Sequence, residues 1–229
     1  MRRIGLIGGM SWESSAEYYR LLNVLTRERD GALASAECLL LSVNFAEIEA
    51  MQSEGRWDDA GRRLADAARS LEAGGAELVL LCTNTMHKVA DEVSAAVSVP
   101  LLHLGDTTAD AVRRAGVATV GLLGTAFTMD QDFYRGRLES HGLTVLVPDA
   151  DDRAMAHQVI YEELCAGVVR DESRAAYVEV VDRLVAAGAE GVILGCTEIE
   201  LLLGPDDVGV PVFPTTRLHV EAALEAART

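Results

Sequence analysis

Cys196 ends the apolar run Val192-Ile193-Leu194-Gly195 and is followed by Thr197-Glu198. A thiol where a strand gives way to a helix lies at the positive end of the helix dipole, which lowers its pKa and makes thiolate available. A free cysteine is otherwise a small core hydrophobe, but glycine, threonine and glutamate are not core company. Earlier in the chain, Gly74-Gly75-Ala76-Glu77-Leu78-Val79-Leu80-Leu81-Cys82-Thr83-Asn84-Thr85 aligns with Ala187-Gly188-Ala189-Glu190-Gly191-Val192-Ile193-Leu194-Gly195-Cys196-Thr197-Glu198, identical at five of twelve positions. Thr83 takes the place of Cys196, with Cys82 one residue before it. Two proton-exchanging groups at equivalent strand ends suit a reaction that removes a proton from one face of a carbon and returns it to the other.

The elements that must position these residues also repeat. Gly5-Leu6-Ile7-Gly8 is echoed by Gly121-Leu122-Leu123-Gly124, and Val99-Pro100-Leu101 by Val210-Pro211-Val212, in the same order and at similar offsets. Two similar lobes, each about half the chain, account for this. Strands are expected at 4–7, 38–43, 78–81, 117–123, 143–147, 192–194 and 210–213, and helices at 14–27, 58–71, 130–140, 173–187 and 217–228. In the fourth helix Tyr177, Val180, Val181, Leu184 and Val185 share one face. The alternation gives an α/β protein with parallel sheets covered by helices. No Ser/Gly-rich linker divides the lobes, so close packing with a cleft between them is expected.

Ligands of such sheets gather at the carboxyl ends of the strands. The glycines of Gly8-Gly9-Met10-Ser11 and Gly124-Thr125 open backbone N–H groups to an anion, or make a tight turn and nothing more. A substrate carboxylate would meet donors near Met10 and Ser11, of Asn84 and Thr85, and the hydroxyls of Thr125 and Thr197. Glu198 would hold a substrate ammonium, or complement the dipole of its helix. There is no Gly-x-Gly-x-x-Gly and no Walker lysine, so nucleotide phosphate is not indicated.

Composition narrows the partners. The chain of 229 residues carries 20 basic and 36 acidic side chains, a net charge of −16, which repels nucleic acid and anionic membranes. Of the basic residues only Lys88 is a lysine. No run approaches the roughly 18 apolar residues of a membrane span. The apolar stretch Ile4 to Ile7 is too short for a signal peptide, so a cytoplasmic setting is expected, with Cys38, Cys82, Cys165 and Cys196 reduced. No cysteine or histidine spacing suggests a metal site.

Three segments together, Gly5-Leu6-Ile7-Gly8-Gly9-Met10-Ser11-Trp12-Glu13-Ser14, Cys82-Thr83-Asn84-Thr85-Met86-His87 and Gly195-Cys196-Thr197-Glu198, resemble the aspartate/glutamate racemase family over essentially the whole chain. The resemblance implies two Rossmann-like lobes related by a pseudo-twofold, catalysis on a small amino acid or dicarboxylate without pyridoxal phosphate or another cofactor, and a homodimer. It also implies that the final strand and helix return to the first lobe, giving lobes of 1–102 plus 212–229 and of 103–211. Lys88, the one residue able to form a Schiff base, is expected to be a surface charge on a helix.

The sequence departs from the family pattern twice. A cysteine usually stands directly before Asn-Thr; here that place is Thr83. The chain looks like the subgroup of L-aspartate/glutamate or broad-specificity racemases that carry threonine there. The displaced Cys82 points to the other face of its strand. Members acting on aspartate also use a basic residue near Ile160-Tyr161-Glu162-Glu163-Leu164-Cys165-Ala166-Gly167, where this chain has none, and Gln52 stands where others carry arginine. The side-chain preference is therefore open.

The expected mechanism has Cys196 thiolate take the α-proton of the L-enantiomer. The backbone and hydroxyl donors hold the resulting carbanion, and Thr83 returns a proton on the opposite face, directly or through water. Two alternatives stay open: another superfamily reaction (maleate isomerase, arylmalonate decarboxylase or hydantoin racemase type), or a non-catalytic amino-acid or dicarboxylate binding protein. His87, four residues after Thr83, could tune the site or be a hydrogen-bonded core histidine; the other four histidines are scattered. Trp12 and Trp57 are expected to pack, and 51–59 reads as a mobile segment able to close over substrate.

Overall fold

The chain alternates strands and helices throughout, and a computed structural model describes residues 1–228 of it. In order, the elements are β1 (Ile4–Gly8), α1 (Trp12–Asp30), β2 (Cys38–Ser42), α2 (Phe45–Ser53), α3 (Trp57–Ala73), β3 (Leu78–Leu81), a 3₁₀ turn (Thr85–Val89), α4 (Ala90–Ala95), α5 (Leu104–Arg114), β4 (Thr119–Gly124), α6 (Ala126–Asp130), α7 (Asp132–Ser140), β5 (Thr144–Leu146), α8 (Ala150–Glu162), a second 3₁₀ turn (Leu164–Ala166), α9 (Asp171–Ala186), β6 (Gly191–Gly195), α10 (Ile199–Leu202), β7 (Val212–Pro214) and α11 (Thr215–Ala226). All seven expected strands form, so the α/β class read from the alternation holds.

Two compact units result, Met1–Leu104 with His219–Thr229, and Gly105–Leu218. The first holds a parallel sheet in the order β2-β1-β3, and the second a parallel sheet in the order β5-β4-β6-β7. In the first unit successive residues of β3 feed opposite cores. Val79 and Leu81 join Ile48, Leu64, Ala68 and Met86 on one face. Leu78, Leu80 and Cys82 join Tyr18, Leu22, Val220 and Leu224 on the other. This is the burial pattern of a strand covered on both faces.

The unit boundary differs from the expected one. The strand 212–214 does not return to the first sheet; it pairs in parallel with β6, Val192 opposite Val212. The reason lies in the repeat. In the first unit Val79 N–H bonds the Pro100 carbonyl and Leu102 N–H bonds the Val79 carbonyl, and in the second Val192 N–H bonds the Pro211 carbonyl. Each Val-Pro-x segment thus satisfies the free edge of its own sheet. Only the later part of α11, from His219, belongs to the first unit.

The strands' amino-terminal ends show the duplication most fully. Glu77 N–H bonds the Arg3 carbonyl at 2.8 Å while the Glu77 carboxylate accepts from Arg3 N–H at 2.9 Å. Glu190 does the same at Thr119, at 2.8 and 3.0 Å, and also accepts from Ala118 N–H. Those backbone bonds hold the Glu190 carboxyl below its usual range. Gly5 and Gly121 occupy equivalent places where a helix crosses a strand. A Cβ at Gly5 would lie 2.9 Å from Ala76 Cβ and 3.3 Å from Leu71 Cβ; one at Gly121 would lie 2.9 Å from Leu184 Cδ1 and 3.3 Å from Leu184 Cβ.

The expected packing of Trp12 and Val185 is corrected, whereas that of Trp57 is met. The segment 51–59 is mostly helical, ending α2 and beginning α3 around a turn at Gly55, φ 71°. Trp12 does not pack, being 68% exposed, whereas Trp57 lies against the first core and carries Lys88 Nζ 3.8 Å above its ring. Val185 is exposed although Tyr177, Val180, Val181 and Leu184 are buried, because the covered stripe of α9 is one residue narrower than the apolar one. Among the described residues no helix is long and apolar enough to cross a membrane.

Candidate active site

Parallel pairing brings the reactive segments of each unit to one edge. In the first, Ile7 pairs with Leu81, so Gly8-Gly9-Met10-Ser11 and Cys82-Thr83-Asn84-Thr85 leave the sheet side by side. In the second, Gly124 pairs with Gly195, placing Thr125 beside Cys196-Thr197-Glu198. Met10, Ser11, Gln52, Thr83, Asn84, Thr85, Thr125, Cys196, Thr197 and Glu198 are all buried. Eight of these, all but Met10 and the α2 residue Gln52, are polar or reactive side chains withdrawn from bulk water at strand ends, where a fold ordinarily displays solvated loops.

In the second unit, Cys196 Sγ donates to Glu198 Oε2 at 2.9 Å. This corrects the sequence expectation of a lowered thiol pKa. The following helix, α10, starts only at Ile199 and has four residues, so its dipole is slight. Burial, and then the adjacent Glu198 carboxylate, instead push the Cys196 thiol well above its ordinary value. At rest Cys196 is a thiol with its proton aimed at a carboxylate. Glu198 therefore has a contact that neither sequence role foresaw.

The donors around this pair are fixed by side chains. Thr216 Oγ1 donates to Thr197 Oγ1 at 3.1 Å, and Thr215 Oγ1 donates to the Leu194 carbonyl at 2.8 Å. Thr125 caps α6, its Oγ1 accepting from Thr128 N–H at 3.3 Å.

In the first unit, Ser11 caps α1 by accepting from Ser14 N–H at 3.2 Å, and the Met10–Ser11 peptide is cis. Thr83 sits between two pinned carbonyls. Ser14 Oγ donates to the Cys82 carbonyl at 3.0 Å, and His87 Nδ1 meets the Thr83 carbonyl at 2.7 Å. His87 Nε2 accepts from Leu104 N–H at 3.1 Å, so the imidazole is the neutral Nδ1–H tautomer. Cys82 lies in the core on the α1 and α11 side of the sheet, its thiol pushed upward by burial. It cannot take the part of Thr83.

Gln52 is tied to this unit through Met86, its Nε2 lying 2.8 Å from Met86 Sδ, while its buried Oε1 has no protein partner. Sequence reasoning missed His157 and His219. His157 Nδ1 accepts from Ala126 N–H at 3.2 Å, at the residue after Thr125, and its ring lies 4.7 Å from that of Tyr161. His219 is fully buried, joining Tyr18 Oη and the Leu102 carbonyl at 2.9 Å each. Only reading α8 as a helix would have brought His157 and Tyr161, four residues apart, onto one face.

With this geometry in hand, comparison with known proteins places the chain. A family model described as Asp/Glu/Hydantoin racemase matches residues 7–223. A crystal structure of a proposed Asp/Glu racemase from Yersinia pestis is 50% identical and superposes with a TM-score of 0.93, with all of both chains covered. An aspartate racemase homologue from Pyrococcus horikoshii OT3 is 36% identical with a TM-score of 0.89, again over all of both chains. The broad specificity amino-acid racemase RacX of Bacillus subtilis is 24% identical over 162 residues, 69% of this chain and 68% of that protein.

Proposed function

Since the chain belongs to the Asp/Glu/hydantoin racemase family, we propose that it is a cofactor-independent amino-acid racemase using Cys196 and Thr83 on opposite faces of the substrate α-carbon. The observation that carries this reading is the pair of matched strand ends. One presents a buried thiol 2.9 Å from a carboxylate, and the other a buried hydroxyl at the equivalent position.

In the L-to-D direction, Glu198 takes the Cys196 thiol proton along their existing hydrogen bond. The thiolate then removes the α-proton. The electron pair is delocalised into the substrate carboxylate, held by donors near Met10 and Ser11 and by Asn84, Thr85, Thr125 and Thr197, as preorganised donors stabilise an enolate-like charge. Thr83 Oγ1 delivers a proton to the opposite face, directly or through water, and regains one from solvent while Glu198 releases its own. Protons and charge balance over the cycle. The reverse direction runs through the same groups in the opposite order.

Gln52 in place of a cation favours no second carboxylate. Together with the relative named for broad specificity, this supports a substrate range that includes neutral amino acids. The same reading carries a cytoplasmic homodimer as its setting, checked for assembly by sedimentation. The decisive experiment is α-proton exchange in D₂O followed by NMR, with chirality read in parallel, for both enantiomers of aspartate, glutamate and a set of neutral amino acids. Exchange with inversion is expected. Binding without exchange would overturn the reading in favour of a binding protein, and loss of carbon dioxide from a malonate would favour a decarboxylase.

A further inference from the structure

We infer that Ser14 and His87 are positioning residues that aim the Thr83 hydroxyl by pinning the two peptide groups on either side of it. The carbonyl of Cys82 belongs to the peptide plane entering Thr83, and the carbonyl of Thr83 to the plane leaving it. Each accepts a bond from a side chain on a different element: Ser14 Oγ of α1 at 3.0 Å, and His87 Nδ1 of the 3₁₀ turn at 2.7 Å. A planar peptide held at its oxygen cannot rotate freely, so the two bonds together set φ and ψ of Thr83 and the direction of its Cα–Cβ bond. Threonine is β-branched and has few χ1 options, so fixing that bond goes far toward fixing Oγ1.

Both holders are themselves held. Ser14 N–H bonds Ser11 Oγ, and His87 Nε2 receives Leu104 N–H at 3.1 Å. Cys82 N–H bonds the Ile7 carbonyl at 3.0 Å, which ties the same segment to β1. Two elements therefore converge on two consecutive carbonyls, and a third, β1, holds the amide that precedes them. An ordinary strand-to-turn junction needs no such arrangement, since a carbonyl there can meet backbone or water.

The inference rests on the racemase reading and is tested so that the two can fail separately. His87→Gln keeps an acceptor within reach of Leu104 N–H and loses the donor to Thr83. His87→Asn keeps a donor at the δ position and loses the Leu104 bond. Ser14→Ala removes the other holder. For each variant, exchange of the α-proton of the L-enantiomer without inversion is compared with inversion, in D₂O, with melting curves to establish folding. Poor aim of Thr83 leaves Cys196 able to remove and return the proton on its own face. The ratio of exchange to inversion is therefore expected to rise about tenfold or more in His87→Gln and Ser14→Ala. His87→Asn is expected to hold it within about twofold of the parent chain.

A ratio equal to the parent's in folded His87→Gln and Ser14→Ala, with both rates falling together, would show these residues to be structural only and overturn the inference. If the parent chain neither exchanges nor inverts any amino acid, the racemase reading falls. Crystal structures of the same variants then decide the positioning claim. A displacement of Thr83 Oγ1 by more than about 0.5 Å in His87→Gln and Ser14→Ala, and not in His87→Asn, supports it. An unmoved Thr83 refutes it.

Discussion

The strand ends that carry Thr83 and Cys196 share a position in the repeat and differ in what holds the reactive side chain. Thr83 is oriented from outside, through its flanking carbonyls, by Ser14 and His87. Cys196 is engaged through its own sulfur by a carboxylate two residues on. The position matching His87 is Glu200, which accepts from Thr216 N–H at 2.9 Å and so secures the start of α11. At the other end of the same strands, Glu77 and Glu190 make matching bonds, and Leu71 and Leu184 crowd matching glycines. The repeat is kept where it builds the sheets and departs at the strand ends proposed to do the chemistry. A hydroxyl that ionises poorly depends on accurate placement, whereas a thiol depends on a partner able to take its proton.

The sharpest way to break this comparison is Cys196→Ser. Racemisation should fall about 10³-fold with the melting temperature little changed, because the serine fills nearly the same space. Normal turnover would remove Cys196 from the mechanism. Next comes Glu198→Gln, for which a loss of about 10²-fold in kcat is expected at neutral pH. Without the carboxylate's charge the thiol pKa falls, so alkylation of Cys196 should begin at lower pH than in the parent. An unmoved alkylation profile would mean that Glu198 does not govern the thiol.

A third test concerns the buried histidine of the first unit. Burial depresses the His219 pKa from 6.5 to about 4. The unfolded chain therefore takes up this proton first as the pH drops. Stability due to neutral His219 is full above pH 6.5 and is lost as the pH falls towards 4, by on the order of 3 kcal/mol. Urea melts of the parent and of His219→Gln between these limits should converge as the pH falls, and parallel curves would refute the assignment.

The smallest effect separates the two units' scaffolds. Gly5→Ala should cost about 1–3 kcal/mol, since the new methyl meets Ala76 Cβ at 2.9 Å, an atom fixed to the backbone. Gly121→Ala meets the movable end of Leu184 and should cost less than half as much on the same melts. Equal costs would mean that the second unit is packed as stiffly as the first.

The strands were legible because each is a short β-branched or leucine run closed by glycine or polar residues. The helices α1, α3, α7, α9 and α11 were legible from their apolar stripes. The helices α2, α5 and α8 were not read. The buried stripe of α2 includes a polar residue, Gln52, beside Ile48, and α5 carries Gly105, Thr107 and Thr108, which are poor helix formers. In α8 the buried residues crowd into the second half. Thr83 and Cys196 stood out in the sequence through their matching places in the repeat, but the electrostatics around Cys196 did not. Burial, with the adjacent Glu198 carboxylate behind it, reverses the direction of the Cys196 pKa, and no spacing announces how deeply the thiol is buried. The four-residue interval from Thr83 to His87 suggested neighbours; that the bond runs to a carbonyl, and is matched by Ser14 from 68 residues away, emerges only from the fold.

The C-terminal helix has a consequence for how the chain is made. Val220, Ala223, Leu224 and Ala227 complete the core around Ile4, Leu6, Tyr18 and Leu22, and Tyr18 meets its partner His219 across 201 residues. The second unit is one continuous stretch of sequence; the first is not. On a ribosome adding about 5–20 residues per second, Tyr18 waits roughly 10–40 s for that partner. Throughout that interval the α1 side of the first sheet is only partly covered, whereas the later-synthesised unit has every residue it needs once Leu218 is added. The half of the molecule that emerges first is thus the last to be finished, and it is there that a nascent chain would need shielding.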